Sequence, residues 1–381
     1  MFIMKTLYAI TSSVLLFTGT AVAQPVPFDL KNQFIIQFES SISNEKKQAI
    51  ALEITNAKGQ VHHHYSHALQ GMSITLPPQA LTKLQERFGD AIIHIEKNQI
   101  VSLAKPGNGK GGGGKGDGDG DSGSTTPRAP EVIPWGVSRV GGPQIAEYGT
   151  AWVIDTGIDS RHPDLNVDKN RGANFIRGKN TTEDGNGHGT HVAGTIAAKV
   201  DGYDVVGVAA GATVIPVRVL DNNGSGTMDG VIAGVDHVYR NGQYGDCANM
   251  SLGAQGFSSA LDTAIKAAAN KGIIFAVAAG NSSANAATFT PASTTHPNVF
   301  TISSVGQYDN FSWFSNYGSV VEYALPGENI LSTKTGGGTV AYNGTSMAAP
   351  HFCGLAIIGS YYINAYANND PDGSPDPIPS L

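Results

Sequence analysis

The sequence predicts an α/β protein whose large unit is a mostly parallel central sheet between two helix layers, preceded by a small α+β unit. Ala151 to Asp155, Val214 to Val219, Ile273 to Ala278 and Val299 to Ser304 are short apolar runs, as expected of strands buried on both faces. Between them Met228, Val231, Ile232, Val235 and Tyr239 keep helical spacing, as do Leu261, Ile265 and Ala268. Alternating elements of this kind pack as three layers around a parallel sheet. With 381 residues, 40% of them hydrophobic, the chain can fill one large core and a smaller one.

The elements in order begin with a leader. Met1 to Ala23 joins Lys5, an apolar stretch through Val14-Leu15-Leu16-Phe17, and the small-residue end Ala21-Val22-Ala23. That is the pattern of a signal peptide, so the exported chain is expected to begin at Gln24 and the protein to be extracellular. No later apolar run is long enough to span a bilayer, and no membrane partner is expected. Only 14% of residues are charged and 48 are glycine, which fits a compact, loop-rich exported protein. The net charge of -7 argues against nucleic acid as a partner.

Residues 24–104 read as the small unit. Phe34 to Phe38 is strand-like and Asn44 to Ala57 helix-like. Met72 to Leu76 and Ile92 to Glu96 are strand-like again, with a helical segment from Gln79 to Phe88 between them. The order fits a ferredoxin-like sandwich. His62, His63, His64 and His67 have no carboxylate or cysteine at ligand spacing, so a polar strand and turn explains them better than a metal site. Residues 105–130 are a linker, with Gly111 to Gly114 and a Gly-Asp alternation, that cannot bury a core. Residues 131–366 are the large unit. The Asp- and Pro-rich end, 367–381, is expected to be disordered. Cys247 and Cys353 both lie in apolar surroundings, compatible with a disulfide and with two buried free thiols.

Three segments carry chemistry. Trp152-Val153-Ile154-Asp155-Thr156-Gly157 puts a carboxylate at a strand end, where ligands of parallel sheets bind. Asn186-Gly187-His188-Gly189-Thr190-His191 puts a histidine at the start of a small-residue helix. Gly344-Thr345-Ser346-Met347-Ala348-Ala349-Pro350 puts a hydroxyl at a helix N-terminus, where free N–H groups and the helix dipole favour developing negative charge. A serine hydroxyl is a poor nucleophile unless a base takes its proton. His188 can accept it, while Asp155 fixes the tautomer and stabilises the imidazolium. His188 and His191 are three apart, but the further ligands and glutamate of a metalloprotease are missing.

On these three motifs, over about residues 131 to 362, the chain resembles the secreted subtilisin-type serine proteases (peptidase S8), on the proteinase K side, with an inhibitor I9-type propeptide. The resemblance implies a three-layer subtilisin-like fold and a serine endopeptidase made as a zymogen, monomeric and acting on proteins or peptides. It implies the triad Asp155, His188, Ser346, with Asn281 of Ala278-Ala279-Gly280-Asn281 as an oxyanion donor. Ser251-Leu252-Gly253 and Gly224-Ser225-Gly226 are expected to pair with extended substrate, and Met228 to line a distant subsite. Ala279, Gly280 and Ala286 are expected around a specificity pocket without an acid, hence an apolar or aromatic preference before the scissile bond.

Structural calcium is implied by Glu131, Asp164 and Asp201 with the carbonyls of Lys199, Tyr203 and Val205, and a weaker site by Glu322 with Pro297 and Val299. Residues 24–104 resemble an inhibitory and chaperoning propeptide, whose end, Ile95 to Ala104, occupies the cleft. The linker spans roughly 25 Å as a flexible chain, so Glu131 can reach the calcium site before cleavage after Ala104. The alternative, a silent subtilisin fold used for binding, is disfavoured because every catalytic position holds the working residue. A dedicated processing protease is disfavoured by the neutral pocket.

Overall fold

The computed structural model describes residues 28–103 and 128–381. The expected leader, Ala104 and most of the linker lie outside them. Seven strands of the main sheet run, in spatial order, Tyr323–Pro326, Val299–Val305, Ile274–Ala278, Cys247–Met250, Thr150–Asp155, Thr213–Arg218 and Asn166–Val167. Ala173–Asn174 pairs alongside the last of these on Thr213–Arg218. Every pairing is parallel. Alternation within the strands divides the core. Ala151 and Val153 face the helices His188–Ala197 and Thr345–Ile358, while Trp152 and Ile154 face Met228–Asn241 and Ser259–Asn270. This is the expected subtilisin-like three-layer fold. Among the described residues no helix is long and apolar enough to cross a membrane.

The first unit runs strand, helix, two strands, helix, strand. Its sheet has the order Gln60–Tyr65, Gly71–Thr75, Gln33–Phe38, Ile92–Lys97 and is antiparallel throughout, the ferredoxin-like arrangement. Gln33–Phe38 is buried at every position. Phe34, Ile36 and Phe38 face their own helices, whereas Ile35 joins the core of the large unit together with Tyr65 and Leu69. Polar anchors fix the two units together. The Glu96 carboxylate accepts from Ser258 Oγ (2.5 Å) and from Ser259 N (2.9 Å) at the start of one large-unit helix. Asp236, on the neighbouring helix, accepts from His67 N (2.9 Å) and Ala68 N (2.6 Å).

Cys247 and Cys353 form a disulfide, with Cα atoms 5.7 Å apart, between a central strand and the helix that carries Ser346. It closes a loop of 106 residues, a constraint on the unfolded chain of typically about 2–4 kcal/mol.

The chain end corrects one expectation. Residues 367–381 are not disordered: Pro377–Ser380 pairs antiparallel with Tyr362–Tyr366, and Ile378 is fully buried beside Val305, Ala324 and Ala367. Pro377 and Pro379 fit because an edge strand does not need every N–H. Asp376 is 5% exposed, and its carboxylate accepts from Ser303 Oγ at 2.6 Å. Burial pushes this carboxyl up to about 7. The fold thus favours the protonated form, and stability is lost as pH rises from the ordinary carboxyl value near 4 through about 7. The stability advantage of Asp376→Asn over the parent is expected to grow across that window and level off above it, with a ceiling of about 4 kcal/mol. Thermal melts from pH 4 to pH 8 check this; a pH-independent difference contradicts it.

Candidate active site

Asp155 ends its strand with no exposed surface, and Thr156 N donates to its Oδ1 at 2.7 Å. His188 opens its helix with Nδ1 at 2.8 and 2.9 Å from the two Asp155 oxygens. Nδ1–H therefore donates to the carboxylate, which leaves Nε2 as the basic nitrogen of the neutral ring. Gly189 allows the helix start to press against Gly157, whose carbonyl an added Cβ would strike.

Asp184, a buried residue that sequence reasoning missed, holds this corner. It accepts from Thr156 Oγ1, Gly187 N and Thr190 N and Oγ1 at 2.7 to 2.9 Å. It sits four residues before the helix, a short distance upstream of the usual capping position, which is the signal that marks it. His191 takes no part: its Nε2 faces the carbonyls of Ile330 and Val340, and burial pushes its imidazole down to about 3, so it stays neutral.

Ser346 is the second residue of the helix Thr345–Ile358 and 2% exposed. Gly344 precedes it at φ +147°, and a Cβ there would lie 3.0 Å from Asn281 Nδ2. Pro350 lies inside this helix and removes the N–H that would reach the Ser346 carbonyl four residues back. Ser251 Oγ donates to that carbonyl instead, at 2.9 Å, and is itself held by Asn249 Nδ2 at 2.8 Å. The Ser346 hydroxyl donates to the Ser251 carbonyl at 3.2 Å and is not hydrogen-bonded to His188 in this conformation. Such catalytic contacts are commonly long before substrate binds. Asn281 Oδ1 accepts from both Thr345 N and Thr345 Oγ1 at 2.9 Å, which fixes the orientation of its carboxamide. Thr345 is thus a second positioning residue the sequence did not reveal.

Residues 100–103 of the first unit lie extended in the cleft, paired as a strand on one side and through a single bridge on the other. Ser225, Gly226 and Thr227 pair antiparallel with Ser102, Val101 and Ile100. Leu103 N donates to Gly224 O (3.0 Å), and Ser102 exchanges two hydrogen bonds with Gly253 (3.0 and 3.1 Å). Gly224, Ser225, Gly226 and Gly253 thus flank residues 100–103 through their backbones. Ser251 instead supports Ser346, and Leu252, largely buried in the core, lines the pocket beside Ser102 and Leu103. Met228 meets Gln99 through its backbone N–H while its side chain is buried. A pocket beside Ser102 and Leu103 is lined by Ala279, Gly280, Phe289, Thr290 and Ala292. None of the described residues lining it is charged. Ala286 is not among them; it is buried at the start of a 3-10 turn.

At both expected calcium sites the carboxylates are engaged within the chain. Glu131, Asp164 and Asp201 do gather with the loop Lys199 to Val205, but they do not fit a metal ion as arranged. The Glu131 carboxylate accepts from Asp201 N and Gly202 N, both at 2.9 Å. The Arg128 guanidinium stands among the aspartates. At the weaker site, the Glu322 carboxylate is engaged by Thr301 N at 2.5 Å. Among the described residues no group of three His, Cys, Asp or Glu is arranged to hold a metal.

Residues 152–368 match the family model described as the subtilase family. The cuticle-degrading protease of Metarhizium anisopliae is 35% identical over 335 residues, covering 86% of this chain and 79% of that protein. Subtilisin Savinase of Lederbergia lenta is 40% identical over 232 residues, covering 59% of this chain and 83% of the relative. A solved cold adapted subtilisin-like serine proteinase is 40% identical with a TM-score of 0.54, covering 59% of this chain and 83% of that one. With the family match taking in both Asp155 at its strand end and Ser346 in the first turn of its helix, the chain belongs to the subtilase family, peptidase S8, and is a serine endopeptidase.

Proposed function

We propose that this chain is exported as a zymogen and cleaves peptide bonds through Asp155, His188 and Ser346. Two observations support the reading: a buried Asp155–His188 pair, and a helix-N-terminal serine whose hydroxyl donates to Ser251, two residues before the Gly253 that pairs with extended chain in the cleft. Ser346 Oγ attacks the scissile carbonyl as His188 Nε2 takes its proton, with Asp155 stabilising the imidazolium. The oxyanion is held by the Ser346 N–H and the Asn281 carboxamide, and His188 then gives the proton to the leaving amine. The first unit acts as an intramolecular inhibitor, its segment 100–103 standing in for substrate, and residues 1–23 direct export.

Backbone pairing along Gly224 to Gly226 and at Gly253 is indifferent to side chains, which supports broad specificity. The uncharged pocket favours Phe, Tyr, Leu or Ala over Lys and Arg before the scissile bond, since no carboxylate there repays the desolvation of a cation. A peptide-library cleavage profile is expected to show that order. A profile dominated by Arg contradicts the assignment of this pocket.

A further inference from the structure

Arg128 lies among three carboxylates, and each arm of its fork addresses a different one. Nε is 2.8 Å from Asp204 Oδ2, one terminal nitrogen 2.9 Å from Asp201 Oδ2, and the other 3.3 Å from Asp164 Oδ1. The guanidinium carbon stands 4.9 Å from the centre of the Tyr203 ring. Asp164 and Asp204 are buried, at 0% and 1% exposure. Carboxylates gathered this closely and withdrawn from water require a cation, and here the chain supplies one.

Backbone docking delivers it. Asp204 N donates to Ala129 O (2.9 Å), Glu131 N to Gly202 O (3.1 Å) and Val132 N to Asp204 O (2.9 Å), and Pro130 bridges to Tyr203. Glu131 ties down the same loop through Asp201 N and Gly202 N. Residues 129–132 thus zip onto the loop and leave Arg128 at the pocket mouth with its side chain turned in. The loop that was expected to hold calcium is formed while residues 100–103 still fill the cleft, as the linker length allows, but its cation is a guanidinium.

We propose that Arg128 is a built-in counter-cation for the pocket of Asp164, Asp201 and Asp204, and that a hard divalent cation gains this pocket only once Arg128 is displaced or removed by a cut between it and Glu131. The two cations exclude each other because they use the same oxygens. The guanidinium brings one charge in a planar fork, whereas calcium brings two and accepts oxygen donors from every side. Loss of Arg128 leaves the Glu131 anchor in place, so the pocket survives the exchange.

The inference does not depend on the proteolytic reading, and its test needs no activity. Calcium is titrated calorimetrically into the full Ser346→Ala chain, shown to be uncut by mass spectrometry, and into the same chain carrying Arg128→Gln. Arg128→Gln is expected to bind calcium at least tenfold more tightly, to melt lower than its parent in chelator, and to gain more on adding calcium. Arg128→Lys keeps a charge but reaches fewer carboxylates, so its calcium affinity is expected between those two, which decides the matter should Arg128→Gln not fold. Equal calcium affinity in the parent and Arg128→Gln overturns the proposal, as does an Arg128→Lys chain that binds calcium no more tightly than the parent.

Discussion

Ser346→Ala is expected to abolish peptide hydrolysis and self-processing while the fold and its disulfide remain. Among the described residues the hydroxyl makes one hydrogen bond, to the Ser251 carbonyl, and the helix start is held independently by Ser251 Oγ and by Asn281. Removing Oγ therefore takes away the attacking atom and little else. In subtilisin, loss of the nucleophile lowers turnover by about a millionfold, and what remains comes from the oxyanion hole and binding. The same order is expected here, with a melting temperature close to that of the uncut parent. Substantial hydrolysis by a pure, uncut Ser346→Ala chain contradicts the assignment of Ser346 as the nucleophile.

The second large effect is expected at Asn281. Its oxygen is committed to Thr345, and its nitrogen lies beside Gly344 at the start of the nucleophile turn. A donor placed there meets charge that develops only in the transition state, so Asn281→Ala should lower kcat by roughly a hundred- to a thousandfold and leave KM nearly unchanged. That range is the one measured for the equivalent change in subtilisin. Steady-state kinetics on one peptide substrate separates the two constants. An equal loss carried by KM would place Asn281 in ground-state binding instead.

Much of this arrangement was legible because it follows from local rules. Asp155 ends an apolar run that had to be a central strand. His188 comes directly after a glycine and Ser346 two residues after one, each at a helix start, and the small unit announced its strands and helices by period. Partners brought from afar were not legible. Nothing near Ser251 says that its hydroxyl replaces the donor Pro350 lacks, since the two lie on different elements. Phe289, Thr290 and Ala292 line the pocket, a few residues beyond the Ala286 expected there. The Cys247–Cys353 pairing required knowing that a central strand and the Ser346 helix touch. The tail misled through composition: Pro377 and Pro379 argue against a strand until the strand is known to lie at an edge. Arg128 belonged, by composition, to a linker, and only the docking of residues 129–132 shows what its charge faces.

The central claim is that Ser346 is a nucleophile activated by His188. The most direct test is reaction of the processed enzyme with a serine-directed phosphonate, followed by mass spectrometry of its peptides. One adduct, on the peptide containing Ser346, is expected, formed at a rate that falls steeply in His188→Ala and is absent in Ser346→Ala. An adduct on another residue, or labelling of Ser346 at the same rate without His188, would contradict the account.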